Sequence, residues 1–248
     1  MPSIMRTSNP ALNEKAFKGQ VAFGEAMTLQ GTVNKTGLLL LCVVATAAWT
    51  WGMSHSETPG AAIPWMIGGL LGGFVVALVT IFKPAWSPFT APLYALLEGL
   101  ALGGISAMFE HRYHGVAIQA VGLTFGTLFV MLMAYKSGVI RATQGFKLGV
   151  IAATGGIAVF YLIEMVLGGF FHITVPAVNG SGIIGIGFSL FVVIIAALNL
   201  VLDFDMIETG VAGGAPKYME WYGAFGLMVT LIWLYLEILR LLSKLRDR

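Results

Sequence analysis

Charge is the scarcest thing in this chain. Only 10% of its 248 residues are Asp, Glu, Lys or Arg, where a soluble domain carries about a quarter. With 57% hydrophobic residues and a mean hydropathy of +0.85, the deficit exceeds what a rich core explains and predicts a polytopic membrane protein. The net charge of +2 is small and dispersed, which argues against nucleic acid as a partner. Cysteine is nearly absent: Cys42 alone, inside an apolar run, excludes a disulfide framework and leaves the redox compartment open. Catalytic signatures are missing too. There is no GxSxG, no Walker motif, no nucleotide fingerprint and no HExxH, so neither an enzyme nor a zinc site is expected. His111 and His114 flank Arg112 in one loop, while His55 and His172 stand alone. The glycine runs "GGLLGG" (68–73) and "GSGIIGIG" (180–187) resemble phosphate loops only on the surface; inside apolar helices such glycines serve close packing.

What the chain does have is long hydrophobic runs. Seven are long enough to cross a hydrocarbon layer about 30 Å thick, near 36–53, 63–82, 89–109, 115–135, 147–170, 184–208 and 222–243. The breaks between them are polar or proline-rich: "SHSETPG", "FKPAWSPF", "EHRYHG", "YKSGVIRATQGFK", "FHITVPAVNGSG" and "TGVAGGAPKYMEW". This predicts an all-α protein with a polar N-terminal segment, residues 1–35, and a single seven-helix transmembrane domain, residues 36–248. The start carries no cleavable signal, so the first span is expected to direct its own insertion. Basic residues set the orientation. With the N-terminus in the cytoplasm, the inner side receives Arg6, Lys15, Lys18, Lys35, Lys83, Lys136, Arg141, Lys147 and Lys217, and the outer loops between helices only Arg112. Lys244, Arg246 and Arg248 run against this rule, since seven spans put them outside.

Acidic residues interrupt the apolar runs. Glu98, Glu164, Asp203, Asp205 and Glu237 all fall within spans, and a carboxylate at such depth faces a bundle interior or a wet cavity. The sixth and seventh spans are consecutive and antiparallel, so Asp203 and Glu237 can lie at similar depth. Two carboxylates brought together do not both ionise freely, and such a pair switches with pH or holds a cation. Blander readings compete at each site. Glu98, beside Gly99, Gly103 and Gly104, either braces helices or lines a conduction route. Asp205 points about 200° away from Asp203 around the helix and faces an aqueous boundary. Glu164 is structural, Glu208 and Glu220 are interfacial, and Glu237 has a local neutralising partner in Arg240, three residues on. Trp65, Trp86, Trp221 and Tyr222 are read as interfacial anchors.

Three blocks together carry a resemblance, "APLYALLEGLALGGISAMFE" (91–110), "NLVLDFDMIETG" (199–210) and "WYGAFGLMVTLIWLYLEILRLLSKL" (221–245), and a further motif near the start, "RTSNPALNEKAF" (6–17), narrows it to one branch. The chain resembles the Bax inhibitor-1/YccA family of seven-helix membrane proteins, and more narrowly its bacterial branch, over essentially its whole length. The resemblance implies a seventh helix surrounded by the other six. It also implies a pH-responsive gate for a calcium leak, formed by acids on the sixth and seventh helices. Asp203 in "LDFDMI" takes the place of the sixth-helix aspartate, and Glu237 in "LYLEIL" stands where many relatives have aspartate. Glutamate reaches one methylene further. The stretch from Asp203 to Glu237 is longer than in relatives, with "AGGAPKYME" resembling an insertion. Where relatives have an arginine at the end of the second helix, the nearest basic candidate is Lys83, which lacks arginine's bidentate fork.

The leading expectation is therefore a pH-sensitive cation leak in a bacterial inner membrane. Asp203 and Glu237 form the gate, and Glu98 joins them as a ligand for transient Ca2+; Asp205, Lys83 and Glu164 are accessory. No cofactor is expected. The partners are the lipid bilayer, calcium or protons and, on the rival reading, a membrane quality-control protease that the protein regulates. A proton-coupled transporter is a third possibility, although the sequence shows no persuasive inverted repeat.

Overall fold

The computed structural model describes residues 25–54, 60–171 and 176–248. The block 6–17 and the residues His55 and His172 lie outside that range. Among the described residues, seven helices are long and apolar enough to cross a membrane: α1 (Leu29–Ser54), α2 (Ile63–Phe82), α3 (Ser87–Arg112), α4 (Val116–Lys136), α5 (Gln144–Phe171), α6 (Ile183–Ala212) and α7 (Met219–Arg246). A 3-10 turn, Pro84–Trp86, leads into α3, and a single helical turn, Pro176–Asn179, precedes α6. The all-α expectation and the seven spans hold. Most helices run a few residues beyond the apolar runs because a helix continues wherever its polar end finds caps. At α1 the extension is longest. Thr28 accepts the Gly31 N–H at 3.0 Å as an N-cap, so the polar stretch "LQGTVNK" is already helical. At the start of α4, Glu110 accepts the N–H groups of Gly115 and Ala117, and Gly115 supplies the left-handed turn, φ +81°.

The chain divides into two compact units. One comprises Ile118–Leu202 with Thr230–Arg248; the other runs up to Ala117 and adds Asp203–Val229. In the second unit α3 lies between α1 and α2, held by glycines. A Cβ on Gly99 would fall 1.9 Å from Thr46 Oγ1 and 2.4 Å from the Val43 carbonyl; on Gly103 it would fall 2.2 Å from the Ala47 carbonyl. On the opposite face, a Cβ on Gly69 would meet the Leu97 carbonyl at 2.4 Å. This is backbone-to-backbone packing through small residues. It accounts for "GGLLGG" without a phosphate. Thr46 and Thr50 donate their hydroxyls to carbonyls one turn back on α1, so the close approach strands no donor.

In the first unit Ile157, Val192 and Ile195 form a buried cluster joined by Phe188, Tyr161 and Trp233, drawn from α5, α6 and α7. The seventh helix is the most enclosed of the seven: 67% of its most apolar window is buried, against 50% or less elsewhere. Tyr222, expected at the interface, is instead buried and packs near Phe225, which meets Tyr94 edge-on at 4.9 Å. Trp65 remains on the surface and crosses Trp49 at 4.8 Å.

Candidate functional site

The acids of α6 and α7 are enclosed by protein. Asp203 is 0% exposed and Glu237 3%. Asp203 belongs to a stretch in which every residue from Asn199 to Ile207 except Asp205 is buried, so no side of the helix there is left to lipid. It stands ~14 Å from the C-terminal end of α6, and Glu237 ~27 Å from the start of α7. Both positions lie well inside their helices.

Two side chains meet the Glu237 carboxylate in the first unit. The Tyr161 hydroxyl donates to Glu237 Oε1 at 2.9 Å. Arg240 Nη1 donates to the Tyr161 oxygen at 2.6 Å and approaches Oε1 at 3.4 Å. Its guanidinium lies over the Tyr161 ring, 5.0 Å from the centroid. Phe160 and Phe188 border Tyr161 in turn. Glu237 Oε2 is buried and has no hydrogen-bond partner among the described residues. One oxygen is anchored and the other is open.

Lys244, one of the tail charges that disturbed the topology, turns inward. It is 6% exposed and donates to the Val178 carbonyl at 2.6 Å, the Gly185 carbonyl at 3.2 Å and Ser189 Oγ at 2.9 Å. All three ammonium protons are taken by neutral oxygens. Glu164 on α5 is half-buried and accepts from Asn179 Nδ2, a structural contact.

Residues 9–247 match the family described as Bax inhibitor 1 like. This chain belongs to that family. No curated protein and no solved structure matches it.

Elsewhere in this Bax inhibitor 1-like protein lie Glu98, expected as a third cation ligand, and the accessory residues Asp205 and Lys83. Glu98 is half-buried near the middle of α3 and lies on the Gly73 backbone: a Cβ there would come 2.8 Å from its Oε1. Asp205 is half-buried, and Lys83 is exposed at the end of α2. Among the described residues, no three His, Cys, Asp or Glu side chains are gathered so as to hold a metal ion.

The acid that sequence reading placed at the interface proves to be the best satisfied. Glu220 in the second unit is 0% exposed. Its Oε1 accepts from Thr28 N at 2.8 Å and Thr28 Oγ1 at 2.7 Å. Oε2 pairs with the Lys35 ammonium, and Lys217 stands 3.4 Å from Oε1. Lys35 also lies over the Trp221 ring. Beside this clasp Met27 N donates to the Ala215 carbonyl at 2.7 Å, and Ser87 Oγ donates to the Tyr218 carbonyl at 3.0 Å. Tyr161, Thr28 and the inward Lys244 escaped sequence reading. Their partners lie tens to hundreds of residues away, and no local pattern announces them.

Proposed function

We propose that this protein is a pH-sensitive cation leak, with calcium as the ion, in the YccA-like bacterial branch of its family. On this reading it lies in the inner membrane with its N-terminus in the cytoplasm and carries no enzymatic activity. Asp203 and Glu237 are the acids that respond to pH, and Glu98 lines the approach. The observation that carries the reading is the enclosure of both carboxylates within apolar membrane-spanning helices. A charged group at that depth costs several kcal/mol and persists where it serves an ion or proton path. Glu237 Oε2, buried and without a hydrogen-bond partner, is the atom expected to receive a proton or a hard cation, which favours oxygen ligands.

The test is calcium entry into dye-loaded proteoliposomes between about pH 6 and 8, for the parent chain, Asp203→Asn and Glu237→Gln. The reading requires a pH-dependent flux that both substitutions change. Folded protein giving no flux above empty vesicles at any pH would overturn it.

A second reading, regulation of a membrane quality-control protease, draws on the clasp. The chain just before α1 is pinned to the loop before α7 through Met27 and an Ala26–Pro216 bridge, and a partner engaging the N-terminal segment would pull on that joint. Removing the N-terminal segment separates the two readings. Loss of a protease effect with flux intact favours regulation.

A further inference from the structure

Lys244 is a buried cation with no anion bonded to it. It lies in the last turn of α7 and is 6% exposed. A lysine so placed ordinarily caps the carbonyls of its own helix or reaches out to water. This one crosses to α6 and the single turn before it. It donates to the Val178 carbonyl at 2.6 Å, Ser189 Oγ at 2.9 Å and the Gly185 carbonyl at 3.2 Å. All three oxygens are neutral. The charged groups that act on it are Arg240, Glu237 and Glu164. Glu237 is bound by Tyr161 and Glu164 by Asn179, and among the described residues neither acid bonds to the lysine. A buried ammonium in that state has given up its water and gained only dipoles in return.

The oxygens owe their positions to other contacts. Gly185 belongs to the first turn of α6, where a Cβ would fall 2.0 Å from the Gly180 carbonyl and 2.9 Å from that of Val178. Glycine there lets the preceding turn fold back over the helix start. Ser189 follows one turn on and is 1% exposed. Asn179, next to Val178, is held from α5 through Glu164. Three neutral oxygens, two of them main-chain carbonyls, therefore converge on one point. Such oxygens replace the hydration shell of a singly charged ion. A divalent ion calls for carboxylates, and none is bonded at this point. The point stands ~10 Å further along α7 than Glu237, so it is a separate place from that carboxylate.

We infer that Lys244 is a tethered cation: its ammonium fills a cradle, formed by Val178, Gly185 and Ser189, that accepts a free singly charged ion of ammonium size. Three protons meet three acceptors, and the tether holds them there permanently. The filled cradle closes this end of the α5–α6–α7 unit and leaves a fixed positive charge in it, which repels other cations. Occupancy of the cradle is independent of the leak reading; that the tethered charge limits cation flux rests on it.

Chemical rescue tests the cradle apart from flux. Full-length Lys244→Ala in detergent is melted over a titration of ammonium chloride, with tetramethylammonium chloride at equal ionic strength and the parent alongside. Lys244→Ala is expected to melt below the parent and to recover roughly half of the lost midpoint in ammonium, as a ligand bound to the folded state alone provides. Tetramethylammonium, bulky and without an N–H, restores nothing, and the parent responds to neither salt. Adding Ser189→Ala raises the ammonium concentration needed by about tenfold, the worth of one hydrogen bond to a charged group. No recovery in ammonium, or equal recovery in both salts, would overturn the inference. If Lys244→Ala does not fold, Lys244→Ser, whose hydroxyl holds water in the vacated cradle, is judged by the same criterion. Calcium entry into proteoliposomes is then expected to be about tenfold faster in Lys244→Ala than in the parent, and equal entry would deny the closure. Ammonium-specific recovery in protein without flux overturns the leak and leaves the cradle in place. Flux in the parent with no ammonium-specific recovery in Lys244→Ala does the reverse.

Discussion

Two buried glutamates sit on the same helix and are treated in opposite ways. Glu220, in the first turn of α7, has both oxygens bound: two donors come from Thr28, one from Lys35, and Lys217 stands close by. Glu237, more than four turns further on, has one oxygen bound and the other open. The same side chain on the same helix is therefore bound in two different ways, and the surroundings decide which. Near a helix N-terminus a carboxylate meets free N–H groups and the positive end of the macrodipole, so it can be satisfied completely and serve as a joint. In the helix interior the backbone offers nothing, and every donor must come from a side chain. An acid left partly unsatisfied there is a burden on stability that a purely structural role does not explain.

The sharpest way to break this contrast is to remove the charge from the joint. Glu220→Gln replaces an acceptor that faces Lys35 with an amide, leaving a lysine without its partner. The expected loss is about 2–3 kcal/mol, reduced from a fully buried pair because the lysines reach solvent. Thermal unfolding in detergent reads it, and an unchanged midpoint would deny Glu220 its structural role. Gly31→Ala attacks the same joint by shape. A Cβ there would come 2.2 Å from the Glu220 carboxyl carbon, so the carboxylate must give up part of its hydrogen bonding, at about 1–2 kcal/mol. A midpoint equal to the parent's would mean the clasp has slack. Smallest of all is Lys217→Gln, expected to cost less than about 0.5 kcal/mol, since that lysine is half-exposed and at long range. A loss as large as that of Glu220→Gln would show that Lys217, rather than Lys35, carries the joint.

The architecture was legible because membrane spans announce themselves through composition. Seven apolar runs became seven helices, and Gly69 of α2 with Gly99 and Gly103 of α3 met helix backbones as small residues in such runs do. The helix ends were less legible. Apolar content marks where lipid lies rather than where hydrogen bonding stops, so the polar first turns of α1 appeared only through Thr28 and Glu220. The acids themselves were visible by depth alone, and Arg240 by its three-residue spacing from Glu237. What sequence could not supply was the partner chosen across distance. Tyr161 meets Glu237 over 76 positions and Thr28 meets Glu220 over 192. Reading Glu220 as merely interfacial overlooked such a partner. Tyr222 erred in the other direction: an aromatic near a helix start resembles an interfacial anchor, yet its ring fills the core beside Phe225.

The central claim is that the acid with a spare oxygen serves ions and the fully bound acid serves the fold. Calcium flux per folded molecule, measured across pH 6 to 8 for Glu237→Gln beside Glu220→Gln, tests it most directly. The account predicts that Glu237→Gln changes the flux and its pH profile while melting close to the parent. Glu220→Gln melts earlier yet conducts normally in its folded fraction. A Glu237→Gln protein whose flux matches the parent at every pH would contradict the account.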